Sequence, residues 1–301
     1  MKKLFHSAIA LSLFFVSCQK DGSSPSTPPE AEKFPVRFSV TDFDRQVTDL
    51  DSRKAGGQDL SNARDSLSNA IQHLRYIAYN SSGILVSTKY QTPADNNVDF
   101  GNISDSLPAG TYIIIFVGSS APAKFFYSAS DFGQARLDFK DDNGQLLKIP
   151  DTYYKRVIIT LGTNGNLPDS SVTLQRIISS IEVHVADAQP ADSINITVSH
   201  QASRFFFHND QTSDGYDIRY LSRKDANTYG EYVLFTEIPS TVIITALDRT
   251  TGAARIKTVY NVSCYRNKKT ILSGNMFSSD ASGFKISVND QWDDNGDPIP
   301  F

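Results

Sequence analysis

The chain has 301 residues with 40% hydrophobic and 21% charged content, which suits one large or two ordinary domains with real cores. Its net charge of −4 shows no basic excess, so the composition argues against a nucleic-acid partner. Tyr and Phe are abundant, at 13 and 19 residues, and the chain is rich in Val, Ile and Thr. This composition favours β structure.

The amino-terminal segment has the pattern of a secreted lipoprotein precursor. Two lysines precede an apolar stretch, residues 4–16, which is short for a membrane span and typical of a signal peptide. Ser17 is the small residue that lipoprotein signal peptidase requires before Cys18. We therefore expect residues 1–17 to be removed and Cys18 to carry lipid, with two or more acyl chains holding the protein stably on a bilayer. An ordinary signal peptide followed by a chance cysteine is the alternative.

Three further segments are predicted after the cleavage site. Residues 18–32 are rich in Ser and Pro and form a semi-extended tether. Residues 33–165 form a first β-sandwich and residues 166–301 a second one, with a Gly- and Pro-containing turn between them.

The first strand of the first domain is predicted from apolar residues that alternate with polar ones. These residues are Phe34, Val36, Phe38 and Val40. A long polar loop that carries Arg45 and Arg53 follows, and residues 59–70 contain a pattern typical of a short helix.

Later elements of this domain are marked by turn residues. Two apolar runs, residues 74–79 and 84–90, flank a four-residue turn with Gly83 and predict a β-hairpin. A tight turn at Leu107–Tyr112 leads into a buried strand, and residues 153–161 form another strand.

The second domain is predicted as a series of short strands separated by turn residues, which is typical of a sandwich. These strands cover residues 171–185, 194–199, 232–235, 242–247, 254–260 and 264–272. A last strand is marked by Phe284, Ile286, Val288 and Trp292. Phe205–Phe207 are either an exposed binding patch or packing residues, and we favour packing. Cys264 is interpreted as a small buried hydrophobe.

No sequence pattern points to catalysis or to a cofactor. The five His residues lack metal-ligand spacing, and there is no HExxH, P-loop, nucleophile elbow or dinucleotide-binding motif. The acidic turn at residues 141–144 does not continue with the ligands of an EF-hand. We therefore expect no catalytic, metal or cofactor residue. A glycosidase pair hidden among the 33 carboxylates stays open as an alternative.

Several of these motifs occur together in one known family. The run Val172-x-Leu174-x-Arg176-Ile177-Ile178, the run Asn267–Phe277 and the turn Leu107–Tyr112 resemble fimbrillin-type lipoproteins of Bacteroidetes, the fimbrial and anchor subunits of type V pili. A Gln-Lys-Asp sequence directly after Cys18 is similar to the surface-export signal of lipoproteins in the same phylum.

The resemblance implies two tandem transthyretin-like β-sandwiches and a structural role in a fimbria on the cell outer membrane. It also implies other fimbrial subunits as partners, joined by strand exchange. The candidate exchanged strands are the first strand, at Phe34, Val36, Phe38 and Val40, and the last strand, at Phe284, Ile286, Val288 and Trp292. Stalk subunits of the family are cut at an Arg after the first strand, so Arg45 and Arg53 are candidate cleavage sites. An uncut chain keeps Cys18 and behaves as an anchor or terminating subunit, which we favour. The alternative is a stand-alone lipoprotein that binds glycan or host protein through its sandwich loops.

Overall fold

The computed structural model describes residues 31–44, 67–95, 99–164, 170–213, 215–278 and 283–289. Within these ranges the predicted all-β fold is confirmed, with residues 67–70 helical and a 3-10 helix at Phe132–Gln134. The strands are β1 (Lys33–Asp44), β2 (His73–Asn80), β3 (Leu85–Gln91), β4 (Asn102–Pro108), β5 (Gly110–Ser119), β6 (Phe125–Phe126), β7 (Arg136–Asp138), β8 (Thr152–Leu161), β9 (Ser170–Arg176), β10 (Ile178–Val185), β11 (Ile194–Gln201), β12 (Arg204–Phe206), β13 (Gln211–Thr212), β14 (Asp217–Tyr220), β15 (Ser222–Arg223), β16 (Thr228–Leu234), β17 (Ser240–Leu247), β18 (Ala254–Val262), β19 (Lys269–Gly274) and β20 (Lys285–Asn289).

The amino-terminal half is built on a seven-stranded sheet in the order β3-β2-β5-β8-β9-β1-β4. Its β2–β3 pair is the predicted hairpin, and the β1–β9 pair is parallel. The two outermost strands approach each other, because the Gln91 side chain donates to the carbonyl of Asn102 at 2.7 Å and accepts from the Gly101 amide at 3.1 Å. The sheet therefore curls around a core that includes Phe38, Tyr76 and Phe116.

The carboxyl-terminal half is a sandwich of two sheets. A five-stranded sheet has the order β15-β16-β10-β19-β20, and a four-stranded sheet has the order β14-β11-β17-β18. Alternate residues of facing strands fill the space between them, as expected for half-buried strands. Ile181, Val198, Ile244 and Leu272 are among the fully buried members of this core.

A second core joins the two halves. It combines Ile77 and Ile115 of the first sheet with Leu137 and with Phe205 and Phe207, all of them buried. Leu137 and Phe205 belong to a small sheet, β13-β12-β7-β6, and Phe207 follows its strand β12. The interpretation of Phe205–Phe207 as packing residues is thus confirmed for Phe205 and Phe207.

The run predicted as one strand over residues 171–185 is two strands. β9 pairs with β1 and β8 in the first sheet, whereas β10 pairs with β16 and β19 in the second. Apolar residues occur on both sides of this break, at Leu174 and Ile178, so the sequence pattern continues across Ile177, which is buried between the sheets. Residues 33–301 cluster as one compact unit, and the division at residues 165 and 166 stays a prediction.

The predicted strand over residues 264–272 begins later, at Lys269. Asn267 has a left-handed backbone with φ of 56°, and the Lys268 amide donates to the carbonyl of Tyr265 at 3.1 Å. Asn tolerates this conformation well, so the segment before β19 is a turn rather than a strand.

Candidate functional site

β1, the first of the two predicted exchange strands, lies between two partners. It pairs antiparallel with β4, from Lys33 opposite Pro108 to Ser39 opposite Asn102. On its other side it runs parallel to β9, starting with Phe38 opposite Ser170. The two ladders overlap at Phe38 and Ser39, so β1 is an interior strand whose first half pairs with β4 and whose second half pairs with β9.

The side chains of β1 are buried in the alternating pattern that the sequence predicts. Val36, Phe38 and Val40 are exposed by only 1%, 2% and 2%, whereas Phe34 is half-buried. The Phe38 ring meets Phe116 edge-on at 5.2 Å and lies 5.9 Å from the Tyr76 ring. Full burial of three such side chains contributes about 5–9 kcal/mol, at ~1.5–3 kcal/mol each.

β20, the second predicted exchange strand, lies at the edge of its sheet. Among the described strands it pairs on one side only, antiparallel to β19, with Ile286 opposite Leu272 and Val288 opposite Thr270. Leu272 and Thr270 are buried, so Ile286 and Val288 are on the core-facing side of the sheet. Each of these two side chains is nevertheless 43% exposed, because the sandwich is open at this edge.

Phe284, directly before β20, is half-buried and packs against the core of the sandwich. Within the described ranges β20 therefore has one unpaired backbone edge, and it loses less apolar contact than β1 when it leaves its sheet. Unpaired strand edges are the places where another chain can add a strand. The two predicted exchange strands thus differ in their number of partner strands and in the burial of their side chains.

The remaining predicted site residues lie outside the described ranges. These are Cys18, Arg45, Arg53 and Trp292. In the sequence, Arg45 follows the last residue of β1 directly.

Among the described residues, no group of three or more His, Cys, Asp and Glu side chains is arranged to hold a metal ion. None of the described helices has the length and apolar character needed to cross a membrane.

A buried ion pair holds the connection between the two halves. Arg176, at the end of β9, donates from Nε and Nη2 to the two oxygens of Asp151, at 2.8 and 2.6 Å. Its Nη2 also donates to the Tyr153 hydroxyl at 2.7 Å, and its side chain is 1% exposed. Bidentate geometry of this kind fixes orientation as well as charge. Arg176 was noted in the sequence as part of a family motif, but no local pattern identified Asp151 as its partner.

A second set of polar contacts crosses the core that the two halves share. The Tyr154 hydroxyl donates to Asp210 Oδ1 at 2.8 Å, and Arg156 Nη2 donates to Asp210 Oδ2 at 2.9 Å. The Tyr154 ring stacks on Phe207 at 5.5 Å, and burial raises the pKa of its hydroxyl far above the ordinary value of 10.0. These contacts attach the small sheet to the first sheet and resist movement of one half against the other.

Cys264 is a free thiol that is exposed by only 2%. Burial raises the pKa of this thiol to about 12, against the ordinary value of 9.0. The thiolate is the reactive form, so this environment is the opposite of that found around nucleophilic cysteines. The interpretation of Cys264 as a small buried hydrophobe agrees with this position.

The outer face of the β14-β11-β17-β18 sheet is broad and uncharged. Its exposed aliphatic and aromatic side chains include Ile218, Tyr220, Ile256 and Tyr260, at 58%, 65%, 64% and 66% exposure. Cross-strand register places uncharged residues between them, in rows such as Tyr220, Thr197, Ile243 and Thr258. Exposed apolar surfaces of this kind mark sites of interaction in many soluble proteins.

Comparisons with known proteins place the chain in a family. The family described as "Family of unknown function (DUF6562)" matches residues 55–298. No curated protein sequence matches the chain significantly.

Solved structures from Bacteroidetes share the fold. A candidate polysaccharide-binding protein from Bacteroides thetaiotaomicron is 9% identical, with a TM-score of 0.54, over 86% of this chain and 96% of that one. A candidate adhesin from Bacteroides ovatus is 13% identical, with a TM-score of 0.53, over 86% and 92%. The fimbrial anchor protein Mfa2 from Porphyromonas gingivalis is 14% identical over 86% and 98%, with a TM-score of 0.49. The resemblance predicted from the sequence is confirmed at the level of the fold.

Proposed function

Since the chain belongs to the family of unknown function DUF6562, we propose that it is a non-enzymatic structural subunit of a cell-surface fimbria, joined to a neighbour by strand exchange at β20. In this proposal Cys18 carries lipid and tethers the mature chain to the outer membrane. β1 remains in its own sheet, so the chain is the anchor or a terminating subunit. Other fimbrial subunits are the partners.

The observation that carries the proposal is the difference between the two candidate strands. β1 has strand partners on both sides and buries three side chains almost completely, whereas β20 has one partner and two half-exposed apolar side chains. A strand joins a neighbouring subunit at low cost when few of its own contacts must break. The free edge of β20 also offers backbone groups that a neighbour's strand can pair with.

The proposal is tested by placing a photo-crosslinking amino acid at one strand position at a time, in the cells that make the protein. Ser287 in β20 and Ser39 in β1 form a matched pair, because both are half-buried serines in strands. We expect the probe at Ser287 to give products that contain a second fimbrial subunit. The probe at Ser39 should give products within the chain only.

The outcomes separate the alternatives. Products with a second subunit from Ser39 alone would make β1 the exchanged strand and would favour cleavage at Arg45 or Arg53. No such product from either position would overturn strand exchange. Identification of the mature amino terminus on the cell surface is the companion measurement: a lipidated Cys18 supports the anchor, and a terminus after Arg45 or Arg53 refutes it.

The second candidate function is a stand-alone lipoprotein that binds glycan or host protein. The uncharged outer face of the β14-β11-β17-β18 sheet favours it, although the sequence pointed to loops rather than to a sheet face. This role requires tight binding on glycan or host-protein arrays by the mature chain alone. It also requires that substitution of Tyr220 and Tyr260 by Ser abolishes that binding.

A further inference from the structure

A small cavity lies beside β2, on the face of the first sheet that carries the shared core. Its volume is ≈ 60 Å³, and its lining includes His73, Arg75, Tyr90, Ser119 and Phe125. Strand register explains how these residues meet. Arg75 is opposite Tyr90 on one neighbouring strand, and His73 is opposite Ser119 on the other. Phe125 comes from β6 and closes the cavity from the small sheet.

Arg75 has an unusual environment for a half-buried arginine. With the described residues it forms no hydrogen bond or ion pair, and its Nε is buried without a partner. Its guanidinium carbon lies 4.5 Å from the centre of the Tyr90 ring and 5.2 Å from that of Phe125. Aromatic faces attract a cation, but they leave its N–H groups without acceptors.

Other arginines of the same region do have acidic partners. Arg156 pairs with Asp210 at 2.9 Å, and Arg176 pairs with Asp151 at 2.6 Å. Buried polar groups are nearly always hydrogen-bonded, and one that lacks a partner requires an explanation. An anion that enters the cavity from solvent would supply the acceptors that Arg75 lacks.

Among the described residues that line the cavity, Arg75 is the only one that carries a full charge. The Nδ1 atom of His73 contacts the Tyr90 hydroxyl, and the two rings lie nearly parallel at 5.9 Å. Burial lowers the pKa of His73 below its ordinary value of 6.5, so the ring is neutral near pH 7. The described lining thus combines one cation with neutral hydrogen-bonding groups and aromatic rings.

Cavity size limits the group that can enter. A volume of ≈ 60 Å³ is less than half of the ~150 Å³ of a cavity that holds benzene, so there is room for a carboxylate and too little for a whole sugar ring. The Tyr90 ring is 46% exposed and borders the cavity, so it offers a flat surface to the rest of a ligand. Arginine binds carboxylates through a planar fork of N–H groups, which matches such a group well.

We propose that this cavity binds the carboxylate of an acidic sugar, such as a uronic or sialic acid, with Arg75 as the carboxylate ligand. The apolar face of the sugar ring packs on the exposed part of the Tyr90 ring, which buries apolar surface. An acidic peptide also offers a carboxylate, but it lacks a rigid ring with a flat face for Tyr90. The proposal is independent of strand exchange and holds for an anchor or for a stand-alone lipoprotein.

The test uses residues 19–301, which lack the signal peptide and Cys18, titrated with glucuronate and with N-acetylneuraminate and followed by NMR chemical shifts. We expect saturable binding of at least one acidic sugar and none of neutral glucose. Arg75→Gln should weaken that binding at least tenfold, and Tyr90→Leu should weaken it several-fold. Arg37→Gln is the matched control, since Arg37 is an exposed arginine of the same sheet, and it should leave binding unchanged.

Three results would overturn the proposal. The first is that the wild-type protein binds neither acidic sugar. The second is that Arg75→Gln and Tyr90→Leu, both confirmed as folded by circular dichroism, bind as the wild type does. Acetate or an Asp-containing peptide that binds as tightly as glucuronate would remove the role of the sugar ring. Loss of strand exchange in the crosslinking experiment would leave this proposal intact, so the two failures are distinguishable.

Discussion

Valine-to-alanine substitutions in β1 and β20 measure how differently the two strands are held. Val36 is 1% exposed and Val288 is 43% exposed, so the same chemical change is made in two environments. Each substitution removes two carbon atoms, and transfer from water of two such groups contributes about 1.6 kcal/mol when burial is complete. The cavity left in a packed core adds to this, so Val36→Ala should cost about 2–3 kcal/mol.

Val288→Ala should cost about 1 kcal/mol or less, because about half of its surface already faces solvent and no closed cavity forms. For a chain of this size each kcal/mol lowers Tm by about 2–4 °C. The expected shifts are therefore about 4–12 °C for Val36→Ala and at most about 4 °C for Val288→Ala.

Differential scanning calorimetry of the mature chain provides the measurement, with urea unfolding as an independent check. Where the two halves unfold in separate transitions, each shift is taken from the transition of its own half. Equal shifts for the two variants, or a larger one for Val288→Ala, would refute the conclusion that β20 is the more weakly held strand.

Three further predictions address the tether, the junction and the thiol. Labelled palmitate should enter the wild-type chain and not Cys18→Ala, and equal labelling of both would refute lipidation at this residue. Asp151→Asn should destabilise the protein by about 3–5 kcal/mol in urea unfolding, because it leaves the guanidinium of Arg176 buried without its charge partner; a cost under about 1 kcal/mol would contradict that role. Cys264 should resist a thiol reagent at pH 8 in the native protein and react fully in denaturant, since its pKa is raised to about 12 by burial. Rapid labelling of the native thiol would show that the site opens readily.

Alternation of apolar residues was sufficient to predict most strands, because each has one face on a core. It was sufficient for β1, whose buried residues Val36, Phe38 and Val40 are those named from the sequence. The same pattern failed around Ile177, because apolar residues continue on both sides of it, at Leu174 and Ile178, and the chain changes sheets there without a Gly or a Pro. A change of partner strand is a long-range event, so periodicity in one segment cannot record it.

The cavity at Arg75 shows that sequence patterns have the same limit in predicting a binding site. His73, Arg75 and Tyr90 are ordinary residues of a predicted hairpin, and their spacing in the sequence contains no ligand motif. Phe125 and Ser119 join them only because β5 and β6 are brought alongside. Among the described residues Arg75 has no acidic partner, and that depends on every residue around it, so only the folded chain reveals it.

The pairing of β1 also bears on whether the chain keeps its lipid. Cys18 and β1 both precede Arg45, so a cut at Arg45 would remove the lipid and the strand together. In the seven-stranded sheet β4 is an end strand, and β1 is its one sheet neighbour. Loss of β1 would therefore leave β4 attached by side-chain contacts such as that of Gln91 and would expose the core around Phe116. A cut chain needs a replacement strand at once, whereas an uncut chain is complete and free to use β20. Under the proposed function, this asymmetry favours the uncut form, which would keep its lipid and act at an end of the fimbria.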